Sequence, residues 1–368
     1  MESSFTVHYR LHCAAGENPM DKARGIALEQ TVELPATCVR DDIREQWVGQ
    51  IQDLEPIEDA HWQCRISYDT RLAGGELTQL LNTLFGNISL KAGIRLERVD
   101  WPNALLAHFG GPAHGIDGLR RMTGVEPGLP LTCTALKPVG YSADELAELA
   151  YRFALGGVDI IKDDHGIADQ ASAPFVERLA ACQAAVERAN RQTGGSSRYF
   201  PNVTAPAHCL AERLNAAREA GCTGALISPW LCGLDSLRWA RDHSGLALMA
   251  HPALTGGQMG SDHGLSPELL LGELFRIAGA DASIYPNTGG RFGFSEATCH
   301  AINQALRQPL GNLRPAAPAP GGGMDAQRAP HWIERYGPDT IVLIGGSLYA
   351  QGDITTAARK LLQALGRN

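Results

Sequence analysis

Residues Leu131–Pro138 read LTCTALKP, and residues Val158–Asp164 read VDIIKDD. Both runs are short and apolar, as in buried strands, and the amphipathic stretch Ser142–Leu155 lies between them. Ser142, with Glu145 three residues later, forms a capping box, which predicts the start of a helix. A strand, a helix and a second strand in this order predict a parallel βαβ unit.

The same alternation repeats to the end of the chain. The further predicted strands are Tyr199–Ala205, Gly224–Trp230, Leu246–Ala253, Asp281–Gly290, Pro318–Gly323 and Thr340–Ser347. The further predicted helices are Ala173–Gln192, one that ends at Glu219, Leu234–Asp242, Pro267–Ala278, Ser295–Leu306, Ala326–Tyr336 and Ile354–Leu365. Eight β→α units indicate a closed (β/α)8 TIM barrel, a fold of about 250 residues. The alternative, an open doubly wound sheet, does not explain the number eight, and no predicted strand is followed by GxGxxG.

A different pattern precedes the barrel and predicts a small α+β (ferredoxin-like) domain with an antiparallel sheet. Its predicted strands are Phe5–Leu11, Cys64–Tyr68 and Ser89–Arg98, and its predicted helices are Pro19–Glu29 and Leu77–Phe85. The segment Trp101–Met122, rich in Gly and Pro, is the predicted connector. We therefore expect an N-terminal α+β domain over residues 1–115 and the α/β barrel over residues 116–368, with the active site at the C-terminal ends of the barrel strands.

The composition indicates an ordinary globular protein of a reducing compartment. A net charge of −8 argues against a nucleic-acid partner, which needs a basic face. No apolar run is long enough to span a bilayer, and the first ten residues do not resemble a signal peptide, so we expect no membrane partner. The nine cysteines are dispersed and contain no CxxC pair, which is typical of reduced thiols. A cytoplasmic location is therefore expected.

Lysine is rare in this chain. The five lysines are Lys22, Lys91, Lys137, Lys162 and Lys360, among 32 basic residues. Lys137 and Lys162 lie at the ends of the first two predicted barrel strands, where barrel enzymes place their catalytic groups. Unlike arginine, a buried lysine can lose its proton and act as a base or nucleophile.

Other polar residues and glycines follow the predicted strands at the same edge. They are Asp163, Asp164, His165, Asn202, His251, Gly321–Gly323 and Gly345–Gly346. Strand alternation sends Lys162 and Asp164 to one side and Asp163 to the other, so the first two form either part of a site or a buried ion pair. The glycines after strands seven and eight predict a phosphate site, because their backbone N–H groups can approach the oxygens; tight turns are the alternative.

The segment Gly156–Gln170, GGVDIIKDDHGIADQ, resembles the RuBisCO superfamily signature GGxDxxKDDE. The resemblance implies that Lys162 reacts with carbon dioxide to form a carbamate. It also implies that the carbamate, Asp164 and the residue at position 165 bind one Mg²⁺ per site. His165 stands where the family has Glu, and histidine is a less usual partner for Mg²⁺ than an oxygen donor.

Three further segments resemble the same family. Thr134–Ser142, TALKPVGYS, is similar to TxxKPKxGLS, which implies that Lys137 moves substrate protons. Leu84–Asn87, LFGN, resembles the stretch whose Asn reaches the neighbouring subunit's site, which implies a homodimer and a substrate-binding role for Asn87. The glycines that match the family's phosphate-binding positions are Gly322, Gly323, Gly345 and Gly346.

Two departures from the family point to its non-carboxylating branch, the RuBisCO-like proteins. Pro252 follows His251 where RuBisCO has the arginine that holds a second phosphate. The loop after strand six, Asn287–Gly293, lacks the lysine that stabilises the carboxylation intermediate. We therefore expect a sugar monophosphate as substrate, with His251 as one of its contacts, and no fixation of carbon dioxide.

The resemblance to RuBisCO-like proteins implies metal-dependent enolisation. The expected reaction is isomerisation of 5-methylthioribulose 1-phosphate by a 1,3-proton transfer, in methylthioadenosine or methionine salvage. Alternatives within the same chemistry are an enolase acting on 2,3-diketo-5-methylthiopentyl 1-phosphate and a decarboxylase or transcarboxylase of a phosphorylated branched-sugar acid. An alternative of another class is a non-catalytic scaffold that binds a sugar phosphate, which the histidine at position 165 would suit.

Overall fold

The computed structural model describes residues 4–367. Contacts within the chain define two compact units. The first contains Met1–Gly111, Leu254–Leu270 and Pro309–Leu313, and the second contains Pro112–Ala253, Leu271–Gln308 and Arg314–Asn368. The two later segments of the first unit lie within the range expected for the barrel, a grouping that the sequence pattern did not indicate.

The first unit is built on a five-stranded sheet. The strands, in spatial order, are Gly264–Leu265, Ile94–Asp100, Ser4–His12, His61–Asp69 and Gln50–Glu58. Its helices are Pro19–Glu29, Asp41–Trp47, Leu77–Phe85 and Asn103–Phe109, with 3-10 turns at Ala36–Cys38, Thr70–Ala73, Asn87–Leu90 and Gly256–Gln258. The pairing is antiparallel except at the edge, where Gly264–Leu265 runs parallel to its neighbour.

Three expectations for this unit need correction. The predicted strand Ser89–Arg98 is wrong in its first half, because residues 87–90 form a 3-10 turn and the strand begins at Ile94. The strand Gln50–Glu58 was not predicted, because its residues are exposed or only half-buried and show no apolar alternation. The expected connector Trp101–Met122 contains the α-helix Asn103–Phe109 and all but the last residue of the α-helix Gly115–Thr123, which belongs to the second unit.

The second unit is an eight-stranded parallel sheet. Its strands, in chain order, are Leu131–Leu136, Ile160–Asp163, Arg198–Phe200, Gly224–Ile227, Ala247–Ala250, Ala282–Pro286, Ala317–Gly321 and Ile341–Leu343. Its helices are Gly115–Thr123, Ala143–Leu155, Phe175–Thr193, Ala207–Glu219, Pro229–Cys232, Leu234–Ser244, Phe275–Ile277, Glu296–Arg307, Ala329–Tyr336, Gly346–Tyr349 and Ile354–Ala364. The predicted helix Pro267–Ala278 is instead a π-helix over Glu268–Leu274 followed by one α-helical turn.

The sheet closes into a barrel between its third and fourth strands. Asn202 forms an isolated parallel bridge with Leu226. The Leu226 N–H donates to the Pro201 carbonyl at 2.8 Å, and the Val203 N–H donates to the Leu226 carbonyl at 2.9 Å. With this closure the predicted fold, a (β/α)8 barrel after a small α+β unit, is confirmed.

Side chains of alternate strand residues fill the barrel interior. Ile160, Phe200, Leu226 and Met249 all belong to one buried apolar cluster. A residue two positions beyond each of them points to the same side of its strand, at the carboxyl-terminal rim. The predicted capping box at Ser142 is also present and begins the helix Ala143–Leu155. Within residues 4–367, no helix combines the length and apolarity that crossing a bilayer requires.

Candidate active site

Lys162 lies inside the barrel, two residues after Ile160. The residue is 2% exposed, and its Nζ donates to the Asp163 carbonyl at 3.1 Å. Burial lowers the pKa of the Lys162 amine, because the charged form loses hydration that this carbonyl only partly replaces. The strand thus presents a lysine that loses its proton more readily than an exposed lysine does.

Lys137 and Asp164 form an ion pair at the rim, with Nζ 3.0 Å from Oδ1. Burial by itself raises the pKa of the Asp164 carboxyl, but hydrogen bonds from His165 and Lys137 and the charges of Lys162 and Lys137 together hold it well below its usual range. Asp164 is therefore a carboxylate at neutral pH. The ion pair considered from the sequence, Lys162 with Asp164, is replaced by a pair with the other lysine.

Asp163 points to the opposite side of the strand, as the alternation predicts. Its carboxylate accepts from Arg178 Nε at 3.1 Å, from the Tyr199 hydroxyl at 2.8 Å and from the Asn202 backbone N–H at 2.9 Å. Asp163 and Arg178 are both fully buried. This cluster lies behind the rim and has a structural role.

His165 and His251 lie against each other at the rim. Their rings stack with centroids 4.1 Å apart and 13° between their planes. The Ala253 N–H donates to His251 Nδ1 at 3.1 Å, which places the proton of the neutral ring on Nε2. Burial, and then the charges of Lys162 and His165, lower the pKa of His251 well below its usual value. His251 is therefore a neutral donor, and His165 Nδ1 lies 3.5 Å from Asp164 Oδ2.

The predicted phosphate glycines lie in the loops that follow strands seven and eight. Gly322 and Gly323 both have positive φ angles, of 86° and 67°. A Cβ added at Gly322, Gly345 or Gly346 would meet no atom within 4 Å, so the backbone there faces open space. The Ser347 hydroxyl donates to the Met324 carbonyl at 3.2 Å and joins the two loops.

Alanine substitutions should distinguish the two glycines after strand seven. Gly322→Ala carries only the cost of a positive φ, about 1–2 kcal/mol. Gly323→Ala should lose more stability, because its Cβ would lie 2.9 Å from the backbone of Gly290 and the loop after strand six would have to move. Thermal denaturation of both variants measures this. Equal losses would show that the contact with Gly290 is easily relieved.

Asn87 lies in the first unit, at the start of a 3-10 turn. Its side-chain N–H groups donate to Glu29 Oε1 at 3.1 Å and to Glu33 Oε1 at 2.9 Å. The structure thus shows what holds Asn87 within its own unit. Its role in a neighbouring subunit's site stays a prediction.

Sequence reasoning missed three residues that support the rim. Tyr349 accepts from the Lys137 backbone N–H at 3.0 Å and donates to the Ala135 carbonyl at 2.9 Å, so it fixes the end of strand one. Arg178 and Tyr199 hold Asp163. Both side chains are buried, and only their contact with Asp163, which the local sequence does not show, reveals their role.

The metal prediction depends on a lysine-derived ligand. Within the part of the chain that the structure describes, no three His, Cys, Asp or Glu side chains are placed to hold a metal ion. The predicted set, Lys162, Asp164 and His165, contains one aspartate and one histidine, and the lysine has to supply its oxygens as a carbamate.

The barrel has two lysines at the ends of its first two strands and glycine-rich loops after strands seven and eight, and comparison with known proteins gives the class of protein that has this arrangement. Residues 115–365 match the family of the ribulose bisphosphate carboxylase large chain, catalytic domain. The chain therefore belongs to the RuBisCO large-chain family and, within it, to the RuBisCO-like proteins of the non-carboxylating branch. The resemblance inferred from the sequence is confirmed.

Three similar proteins place the chain more closely. A 5-methylthioribulose-1-phosphate isomerase of Rhodospirillum rubrum is 43% identical over 337 residues, which are 91% of this chain and 89% of that protein. A 2,3-diketo-5-methylthiopentyl-1-phosphate enolase of Geobacillus kaustophilus is 32% identical over 352 residues, covering 90% of this chain and 84% of the enolase. The crystal structure of a RuBisCO-like protein from Rhodopseudomonas palustris matches with a TM-score of 0.91 and 37% identity, over 100% of this chain and 98% of that one.

Proposed function

We propose that this protein isomerises 5-methylthioribulose 1-phosphate by a 1,3-proton transfer through an enolate. The observation that carries the proposal is the buried Lys162 beside the Lys137–Asp164 pair at the rim of the barrel. Such a cluster offers amines that can take and return a carbon-bound proton. The identity to the Rhodospirillum rubrum isomerase, 43%, favours this substrate over that of the enolase relative, which is 32% identical.

The residues present fit a divalent cation such as Mg²⁺. Lys162 has a lowered pKa and only a peptide carbonyl as a hydrogen-bond partner, which suits reaction of its neutral amine with carbon dioxide. The resulting carbamate, the Asp164 carboxylate and His165 would hold the ion. Bound there, the ion would supply Lewis-acid stabilisation of negative charge on the substrate oxygens.

Side chains and backbone groups of the protein account for proton transfer, for a hydrogen bond to a substrate oxygen and for phosphate binding. Lys137 is the residue that removes the proton from one carbon and returns it to another, and a carbamate on Lys162 would offer an alternative base. His251 donates from Nε2 to a substrate oxygen, because its Nδ1 is already an acceptor. The glycines Gly322, Gly323, Gly345 and Gly346 bind the phosphate and supply binding energy remote from the reacting carbons. In a homodimer, the Asn87 side chain of the neighbouring protomer completes the site.

Two features of the chain oppose a bisphosphate substrate and carboxylation. Pro252 offers no cation for a second phosphate, and the loop Asn287–Gly293 offers no lysine for a carboxylated intermediate. A monophosphate with an uncharged methylthio end needs neither group. The enolate is therefore expected to accept a proton rather than carbon dioxide.

Proton NMR of the purified protein in deuterium oxide tests the proposal. With Mg²⁺, bicarbonate and 5-methylthioribulose 1-phosphate, we expect new signals of a 1-methylthio pentulose phosphate. Deuterium uptake without product would keep the enolate and direct the search to related sugar phosphates, including the diketo substrate of the enolase. Neither exchange nor product, with the metal demonstrably bound, would overturn the substrate and favour a branched-sugar acid, for which the histidine at position 165 is the specific argument.

A further inference from the structure

Four consecutive carbonyl oxygens, those of residues 165–168, accept hydrogen bonds from side chains. The donors are Asn202 Nδ2 to His165 at 3.1 Å and to Ile167 at 2.9 Å, Gln170 Nε2 to Gly166 at 2.8 Å, and Arg178 Nη2 to Ala168 at 2.6 Å. A loop without regular structure has few backbone partners of its own, so these side chains determine its conformation. The same loop carries the imidazole of His165 and follows Asp164 directly.

Asn202 is the central donor of this arrangement, and it is itself held in place. It is fully buried. Its backbone N–H donates to Asp163 Oδ2 at 2.9 Å, and its Oδ1 accepts from the Thr204 N–H at 3.1 Å. Both of its amide hydrogens are used by the loop, one for each carbonyl. The Asn202 side chain therefore has no N–H left to donate to a substrate.

We propose that Asn202 is a positioning residue that fixes the backbone of His165 and Ile167, and thereby sets the affinity of Asp164 and His165 for a divalent cation. The inference rests on the proposed function for the identity of the ligand. Without the amide, two carbonyls lose their partner and the loop has to be ordered again each time an ion binds. Loss of such an outer hydrogen bond typically weakens metal binding about 10–100-fold.

Asn190, on the helix Phe175–Thr193, offers a matched control. Asn202 follows the strand Arg198–Phe200, whereas Asn190 bonds to the residue before that strand. Asn190 Nδ2 donates to the Ser197 carbonyl at 2.9 Å, and Asn190 Oδ1 accepts from the Ser197 N–H at 2.9 Å. Asn190 thus makes the same kind of side-chain to backbone bridge, but just before the strand Arg198–Phe200 begins. Asn190→Ala should reduce stability as Asn202→Ala does, without affecting the rim.

The test is titration of each protein with Mn²⁺ in bicarbonate, followed by the electron paramagnetic resonance signal of the free ion. We expect Asn202→Ala to raise the Kd for Mn²⁺ about 10–100-fold and Asn190→Ala to leave it at the wild-type value. An unchanged Kd in Asn202→Ala, an equal rise in both variants, or a wild type that does not bind Mn²⁺ would each overturn the inference.

A second variant covers the case in which Asn202→Ala does not fold. Gln170→Leu removes the donor to the Gly166 carbonyl from a half-buried side chain, and it should raise the Kd in the same direction by a smaller factor. An unchanged Kd there would count against the loop's role. Failure of the proposed function can be told apart from failure of this inference. A wild type that binds Mn²⁺ but does not isomerise the sugar phosphate contradicts the proposed function, and the same titration still tests the role of Asn202.

Discussion

Lys162→Met should abolish isomerisation and make the protein more stable. The loss of rate is expected to be about 10³-fold or more, because the variant loses both the carbamate ligand and a proton-transfer group. Stability should rise by about 1–2 kcal/mol, because methionine fills the same space without a buried amine. Activity by NMR and urea unfolding measure the two effects on one preparation.

The pH dependence of this gain follows from the lowered pKa of Lys162. Between that lowered pKa and the unfolded value of about 10.4, the unfolded chain binds a proton that the folded chain does not bind, so wild-type stability rises with pH. Below the lowered pKa both states are protonated, and the folded state carries the full cost of a buried charge. The stabilisation by Lys162→Met should therefore be larger at about pH 7 than at about pH 9.5.

Lys360→Met is the control for this prediction, because it makes the same substitution at an exposed helix position. It should leave activity and the pH dependence of stability unchanged. A Lys162→Met protein that is less stable than the wild type would mean that the buried amine makes stabilising contacts beyond the Asp163 carbonyl. A Lys162→Met protein that still isomerises would remove this lysine from the mechanism.

Arg178→Met should destabilise the barrel more than any other single change considered. It leaves the Asp163 carboxylate buried with no cation, which typically costs about 3–5 kcal/mol. It also removes the donors to the Ala168 and Ala173 carbonyls, at 2.6 Å each. Urea unfolding gives the loss, and Asp163→Asn in the Arg178→Met background should restore part of it by removing the charge.

Arg191→Met on the same helix is the comparison for Arg178→Met. Arg191 lies 3.7 Å from Glu187, and the two side chains are 71% and 48% exposed. Water screens such a pair, so its loss should cost about 0.5 kcal/mol or less. If Arg178→Met cost no more than this, the ion pair with Asp163 would not be what stabilises this part of the barrel.

Much of the barrel could be predicted because its signals are local. The alternation of apolar strands with capped helices is contained in windows of ten to twenty residues, and Ser142 with Glu145 marks one helix start directly. The π-helix Glu268–Leu274 carries no such signal, since an apolar run is compatible with either helical form. The strand Gln50–Glu58 could not be predicted because it lacks an apolar run. Pairing with the strand His61–Asp69 holds it in the sheet instead of a buried apolar face.

In the candidate site, only the side of the strand on which a residue lies could be predicted from local sequence. Strand alternation separated Asp163 from Lys162 and Asp164 correctly, since it depends only on the backbone. The partners could not be predicted, because they come from distant parts of the chain: Arg178 for Asp163, Tyr349 for the end of strand one, and Lys137 rather than Lys162 for Asp164. The stacking of His165 on His251 likewise depends on two strand ends that only the closed barrel brings together.

Asp163 and Asp164 are neighbours in the chain but serve opposite sides of one strand. The first belongs to the buried network that the barrel needs to fold, and the second belongs to the rim. Selection therefore acts on the two codons for different reasons, on Asp163 for stability and on Asp164 for the chemistry at the rim. Loss of the second aspartate would change the rim and leave the buried network intact, whereas loss of the first alone would leave the buried Arg178 without its carboxylate.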